Sequence, residues 1–426
     1  MTHEQLSVIQ RISSSIRFKW KGLLIFFSLL GPGLITAFAD NDAGGVSTYS
    51  VAGATFGYNV LWALIPITIM LIVVQEMSAR MGIVTGKGLA DLIRETYGIR
   101  LTLFLMSGLF LANLATVIAD VAGIAAAGDL LGIARMIIVP ISAILLLVFI
   151  IKGNYKSTEK FFFFLIIFYL AYVLTGFLAK PDWAVVMKTT FVPKISFTSE
   201  YVYILIGLIG TTITPWMQFY LQSEYVEKGT QIKNYKYARS EIVMSSIVSD
   251  TISFFMILTC AATLFYAGIR INTAQEAALS LRPLAGNYAY IFFAIGLLGA
   301  SALGAIIVPI STAFSICEGI GFETGVNKNF KDAPVFYWII IILVAIGVAI
   351  ALIPSLPLIK IMVLSQVFAG MVLPIIMIST LKIMNKKEIM GAYVNSKTFN
   401  IIAYSTVYLT IGLTICLLVS SIQSIF

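Results

Sequence analysis

From residue 23 onward the chain is a succession of apolar stretches separated by short polar segments. They run over 23–54, 58–82, 99–131, 134–152, 158–179, 201–225, 239–268, 285–317, 334–353, 357–382 and 398–424. A transmembrane helix needs about 20 apolar residues, so the pattern predicts eleven spans and an all-α integral membrane protein. Solid runs such as Ala143–Ile151 lack the alternation of a transmembrane β-strand. The longest connecting segments, roughly 180–200, 268–284 and 318–333, leave no room for a soluble domain. Residues 1–22 are polar and basic with no small-residue cleavage site, which reads as a cytoplasmic arm rather than a signal peptide. Residues 23–426 then form one transmembrane domain.

Composition agrees. Of 426 residues, 59% are hydrophobic and 11% charged, against roughly 25% charged in soluble proteins. A soluble enzyme, a secreted disulfide scaffold and a disordered chain are excluded. The net charge of +8 is not a nucleic-acid signal. Twenty-one of the 28 lysines and arginines fall before span 1 or in alternate connections, and seven fall on the other side. This bias puts the N-terminus in the cytoplasm and, with eleven spans, the C-terminus outside. Cys260, Cys317 and Cys416 sit apart in apolar runs, so neither a disulfide nor a thiolate metal site is implied. Abundant Ile and Lys suggest a bacterial plasma membrane. No obligate protein partner is evident beside the lipid bilayer.

Two spans are interrupted. Span 1 reads Gly31-Pro32-Gly33-Leu34-Ile35-Thr36-Ala37-Phe38-Ala39-Asp40-Asn41-Asp42-Ala43-Gly44-Gly45, and span 6 reads Gly207-Leu208-Ile209-Gly210-Thr211-Thr212-Ile213-Thr214-Pro215-Trp216. Proline removes a backbone donor and clashes with the preceding turn. The breaks lie about 170 residues apart, near half the chain, and such paired breaks mark inverted-repeat transporters. Repeat one would cover about 23–179 and repeat two about 201–382, with 398–424 an added helix. Five spans per repeat force opposite orientations. Ordinary Gly/Pro kinks are the plainer alternative, but kinks do not bring two carboxylates with them.

Asp40 and Asp42 carry the strongest chemical signal. A carboxylate at mid-bilayer costs at least about 2.5–3.5 kcal/mol, so the pair, with Asn41 between, must face a cavity or a cation. Unwound carbonyls add hard oxygen donors, suited to Mg²⁺, Ca²⁺ or Mn²⁺. Asp42 could otherwise cap the second half-helix. Span 6 offers Thr211, Thr212 and Thr214 but no carboxylate. Asp120, Asp250 and Gln366 are the other deep polar residues, each either functional or a structural hydrogen-bonding group. Glu76 beside Arg80 reads as a local ion pair. The single histidine is His3, so proton coupling would need a buried carboxylate.

At these residues the chain resembles the NRAMP family of divalent-metal transporters. The Gly31-Pro32-Gly33 frame, Ala52-Gly53-Ala54-Thr55-Phe56-Gly57-Tyr58 and Ala79-Arg80-Met81-Gly82-Ile83-Val84-Thr85-Gly86-Lys87 carry the resemblance most strongly. Ala115-Thr116 to Gly123, Phe293 to Leu298, Leu364-Ser365-Gln366-Val367, Met390-Gly391 and Val394-Asn395 extend it along most of the chain. The resemblance implies a LeuT-like fold of two inverted five-helix repeats. The family's Asp-Pro-Gly-Asn motif stands here as Asp42-Ala43-Gly44-Gly45, and its Met-Pro-His as Thr214-Pro215-Trp216. Thr211 replaces an alanine whose carbonyl can bind metal, Val117 replaces the first of two acids on span 3, and the arginines expected in 334–353 are missing.

A thioether favours softer transition metals. Its loss, with a site enlarged at Gly45, suits a partly hydrated Mg²⁺ and is similar to the magnesium-transporting branch of the family, which is regarded as not proton-coupled. The expectation is therefore an alternating-access importer of Mg²⁺, and also of Mn²⁺, with no proton coupling. Asp42 anchors the ion. Asn41, Gly45, Thr211, Thr214 and Gln366 supply further oxygens, directly or through water. Asp40, Asp120 and Asp250 line the ion pathway or serve as a proton relay. The first alternative is a proton-coupled Mn²⁺/Fe²⁺ symporter with Asp42 or Asp120 as proton carrier. An amino-acid transporter of the same fold should not carry two aspartates at the first break. An intramembrane hydrolase would want acids on facing helices or a Ser/His dyad.

Overall fold

The structure, a computed structural model, describes residues 41–152, 168–326 and 328–423, the side chains of 420–423 excepted. The arm 1–22, the Gly31-Pro32-Gly33 frame, Asp40 and the first part of span 5 lie outside the described residues. Among the described residues every regular element is helical. We label the long helices α1 (Ala43–Phe56), α2 (Leu64–Thr85), α3 (Leu89–Tyr97), α4 (Ile99–Leu131) and α5 (Arg135–Lys152). The bent pair α6 (Phe168–Leu178) and α7 (Trp183–Phe191) follows. Then come α8 (Ser199–Thr212), α9 (Pro215–Glu227), α10 (Tyr235–Cys260), α11 (Ala289–Ile320), α12 (Pro334–Ala351), α13 (Leu358–Met384) and α14 (Lys397–Gln423).

Nine helical segments among the described residues are long and apolar enough to cross a membrane, or ten with the bent pair taken as one span. The expected eleven differ in one bookkeeping respect. Ala43–Thr85 passes as a single segment yet holds spans 1 and 2. The chain turns at Gly57, whose φ of 59° and ψ of −138° lie outside the helical region, and a 3-10 stretch Gly57–Ala63 leads into α2. The segments expected as loops at 180–200 and 268–284 need correction, since both contain helix. Asp182 caps α7 by accepting from Ala184 N and Val185 N, and Thr273 with Glu276 forms a capping box on Ala274–Ala278. Both are short-range start signals that apolar-span counting passes over.

Contacts at the helix ends fix directions. The Phe56 ring at the end of α1 meets Tyr201 at the start of α8 edge-on, centroids 5.1 Å apart. Trp62 Nε1 donates to the Tyr201 hydroxyl at 2.9 Å. At the opposite end Gln222 of α9 donates to the Lys87 carbonyl, just past α2, at 2.9 Å. So α2 runs parallel to α8 and α9, and α1 runs against α8. The second half of one broken span and the first half of the other are therefore antiparallel, as inverted repeats require.

Helix α4 is the packing centre, against α11, α12 and α13. Small residues permit this. A Cβ on Gly210 of α8 would stand 1.9 Å from the Gln366 carbonyl oxygen, and one on Gly304 of α11 would stand 2.3 Å from Asp120 Oδ2. In a membrane, where apolar surface gains nothing by leaving lipid, close backbone approach is a main source of helix association. The outward face of α5 bears Met136, Ile141, Ile144 and Leu145, all exposed, a belt too apolar for water.

A polar cluster ties the Lys87 end together. Arg80 pairs with Glu76 at 3.0 Å, as the spacing predicts. Arg80 also donates to Asn395 Oδ1 at 2.5 Å, and the Tyr235 hydroxyl donates to Glu76. Arg80 and Arg239 lie over the Phe399 ring. The cluster joins α2, α10 and the segment leading into α14.

Candidate cation site at the two helix breaks

Helix α1 begins at Ala43, where Asp42 caps it. Its backbone is extended (φ −66°, ψ −170°), and its carboxylate accepts from Gly45 N at 2.8 Å. Backbone donors of this first turn, Gly45 and Gly44, leave part of the carboxylate's accepting capacity unused. Asp120 of α4 reaches the same helix start, where Ala43 N donates to its Oδ1 at 3.4 Å. Asp120 Oδ2 is buried with no partner. Two carboxylates, on different helices, thus stand at one helix N-terminus, close enough to repel each other.

The second break is short. Helix α8 ends at Thr212 and α9 starts at Pro215 in the first-turn position, where its missing N–H costs nothing. Ile213 (φ −121°, ψ 60°) and Thr214 (φ −66°, ψ 143°) are the two unwound residues. The hydroxyls of Thr211 and Thr214 are buried without partners. Thr212 is spoken for: its hydroxyl and that of Tyr49 on α1 are 2.7 Å apart.

Gln366 of α13 joins the breaks. Its side chain lies against Gly44 in the first turn of α1, where an added Cβ would stand 1.8 Å from Nε2. Its carbonyl lies against Gly210, one residue before Thr211. The Gln366 amide is fully buried and neither of its polar atoms has a partner. Unsatisfied buried polar groups cost about 1–3 kcal/mol each. Asp120 Oδ2, Thr211, Thr214 and Gln366 are such groups, and a cation with its waters would satisfy them.

Two residues of the expected set are placed differently. The Asn41 amide is turned to α10, donating to Ser249 Oγ at 3.0 Å and accepting from Ser253 Oγ at 3.2 Å. The Tyr169 hydroxyl of α6 donates to the Asn41 carbonyl at 2.8 Å. Asn41 therefore holds the unwound segment in place, each of its two oxygens accepting one hydrogen bond. Asp250 follows Ser249 on α10, about 100° around the helix. It is buried beside Thr68 of α2. Gly45 contributes backbone only, its N–H spent on Asp42. Asp40 is outside the described residues. Tyr169, Ser249 and Ser253 were not singled out from the sequence. The serines recur at i and i+4 on an apolar span, a legible polar stripe, whereas Tyr169 is a tertiary contact with no local signal.

Among the described residues no group of three or more His, Cys, Asp or Glu is placed to hold a metal. Two carboxylates and neutral oxygens make an open site, suited to an ion that must leave again. Two cavities lie toward opposite ends of the helices that carry these residues. One of about 450 Å³ opens between α1, α8 and α13, with Val51, Ile204 and Val363 among its walls. The other, about 210 Å³, opens at the Lys87 end between α9 and α11, where Ser223, Glu224 and Glu227 face Ile306, Ile310 and Phe314.

The family profile described as "Natural resistance-associated macrophage protein-like" matches residues 33–420. The divalent metal cation transporter MntH of Clostridium acetobutylicum is 30% identical over 426 residues, covering 95% of this chain and 93% of that protein. A manganese transporter of Eremococcus coleocola, solved with an aromatic bis-isothiourea compound, superposes with a TM-score of 0.74 at 23% identity, covering 94% of this chain and 87% of that one. Mhp1, a nucleobase-cation-symport-1 transporter solved in a closed conformation, superposes with a TM-score of 0.58 at 13% identity over 91% of this chain and 92% of its own. The fold is thus the LeuT-like one that the broken spans anticipate.

Proposed function

The chain belongs to the natural resistance-associated macrophage protein-like family, a family of transporters and not of enzymes, and from that premise we propose that it carries divalent metal cations across the membrane by alternating access, with Mn²⁺ as cargo. The observation that carries this reading is the pair Asp42 and Asp120 at the N-terminus of α1. A helix N-terminus favours anions, and two carboxylates there leave no place for an anionic substrate group. They call instead for a cation. The names of the relatives, a divalent metal cation transporter and a manganese transporter, support the same reading.

In operation the ion enters from the 450 Å³ cavity, meets Asp42, and collects oxygens from Gln366, Thr211, Thr214 and retained waters. It leaves through the cavity at the basic end, which the charge bias places in the cytoplasm. An inside-negative potential of 100 mV assists a divalent ion by about 4.6 kcal/mol. Asp120, close to Asp42 but engaged by one long backbone hydrogen bond, is the proton carrier of this reading. A cation arriving between the acids favours ionisation of both, releasing a proton toward the inside.

A second reading has its own support. Gly45 and Thr214 replace the side-chain ligands of the wider family, which leaves an all-oxygen, widened site, and this favours partly hydrated Mg²⁺ carried without protons. Uptake into proteoliposomes with an internal pH dye separates the two. Mn²⁺ uptake that acidifies the lumen, and that quickens as the outside is made acidic, is expected. Mg²⁺ uptake without acidification would establish the second reading. Absence of any divalent-cation uptake would overturn both.

Gly44→Ala tests the role given to Gln366. The three atoms nearest the new Cβ all belong to the flexible Gln366 side chain, so the protein should fold with Tm within about 2 °C of wild type. The displaced amide oxygen should raise the KM for the cation about tenfold, the ~1.4 kcal/mol expected of one hydrogen bond to a charged group. An unchanged KM would remove Gln366 from the site.

A further inference from the structure

Between the outer cavity and Asp42 the walls follow a clear order. Along α1, cavity-lining Val51 is followed inward, one turn at a time, by Ser47 and then Gly44. Along α13, which runs inward, cavity-lining Ile359 and Val363 flank Met362, and Gln366 comes one turn later. Gln366 sits on Gly44. One turn outward, the Ser47 hydroxyl donates to Met362 Sδ at 3.3 Å. Both residues are buried, Met362 completely. Ser47 and Met362 therefore meet across the line from cavity to site and close it.

The other donor atoms along this line are oxygens, which are hard. The sulfur is the exception. A thioether is a soft ligand that favours transition metals over Mg²⁺ and Ca²⁺, and at position 214 on the second break this chain has threonine. The Ser47 hydroxyl occupies one lone pair of the sulfur and leaves the other. An ion descending from the cavity must part the two side chains, and in doing so it meets the sulfur on one side and the Ser47 oxygen on the other.

We propose that Met362 is a selectivity residue: one turn outward of Gln366, its thioether and the Ser47 hydroxyl form a way station that transition-metal ions cross to reach Asp42, and that slows harder ions. The proposal rests on the divalent-cation reading above and adds to it where selection occurs, on α13 before the site rather than within it.

The test is uptake of Cd²⁺ and Mn²⁺ into proteoliposomes by wild type, Met362→Leu and Met362→Cys. Leucine conserves volume and removes the soft donor, a swap cores tolerate well. The KM for Cd²⁺, the softer ion, should rise about tenfold in Met362→Leu, and that for Mn²⁺ about threefold at most. Met362→Cys, which restores a soft sulfur, should bring Cd²⁺ back to within about threefold of wild type. This rescue also serves if the leucine variant folds poorly. Equal shifts for both ions, or no Cd²⁺ recovery with cysteine, would show that Met362 only packs, and would overturn the proposal while leaving Asp42-dependent transport intact. Wild type that takes up neither ion would overturn the transport reading as well.

Discussion

Asp42→Asn is expected to lower the initial rate of Mn²⁺ uptake by at least about 100-fold while leaving Tm within about 2 °C. Asparagine ranks with aspartate as an N-cap, so the bond from Gly45 N and the start of α1 persist. Only the charge is lost. Two unit charges 4 Å apart interact by about 4 kcal/mol at an effective dielectric of 20, which doubles for a divalent ion. A third of that sum is a factor of about 100 in affinity. The paired measurement of uptake and melting temperature distinguishes loss of an anchor from loss of fold. Full uptake in a well-folded variant would move the anchor to Asp120 or elsewhere.

Arg80→Ala is expected to be the most damaging substitution for stability outside the site. Glu76 is 1% exposed, and its charge is met by Arg80 at 3.0 Å with support from Tyr235. Removing one partner of a buried pair strands the other, at about 3–5 kcal/mol. Arg80 also holds Asn395 and covers Phe399, so the end of α14 loosens with it. A Tm lower by about 3–6 °C is expected from this loss. Glu76→Gln added to Arg80→Ala should recover part of the drop, because the stranded charge disappears. An unchanged Tm in the single variant would mean that the cluster is not structural.

Much of this architecture is legible from local pattern. Apolar length gives the spans. Asp42 reads as a cap at the start of α1, and Pro215 gives the break after Thr212. What pattern does not give is which buried polar groups meet. Asn41 and Asp42 are adjacent and look equally fit to hold an ion. The chain rotates one toward Ser249 and Ser253 and leaves the other at the start of α1. Asp120 and Asp250 look alike as single deep acids. One reaches Ala43, whereas the other lies beside Thr68 of α2. These outcomes depend on helix rotation and crossing, set by contacts such as Gly210 against Gln366 that are distant in sequence. Met362 is hidden for the same reason. In sequence it is one more apolar residue of α13, and only the register against Ser47 gives it a place on the path. The helices at Trp183–Phe191 and Ala274–Ala278 were hidden differently, by being shorter than a span although their caps were in plain view.

The central claim is that one divalent cation binds at Asp42 where the two breaks meet. Equilibrium binding of Mn²⁺ to the purified full-length protein in detergent, read from the loss of the free-ion EPR signal, tests it without dependence on transport rate or proton coupling. The expected result is one saturable site per chain in wild type and none over the same range in Asp42→Asn. Saturable binding that survives Asp42→Asn, or wild type that binds no Mn²⁺ at all, would contradict the account.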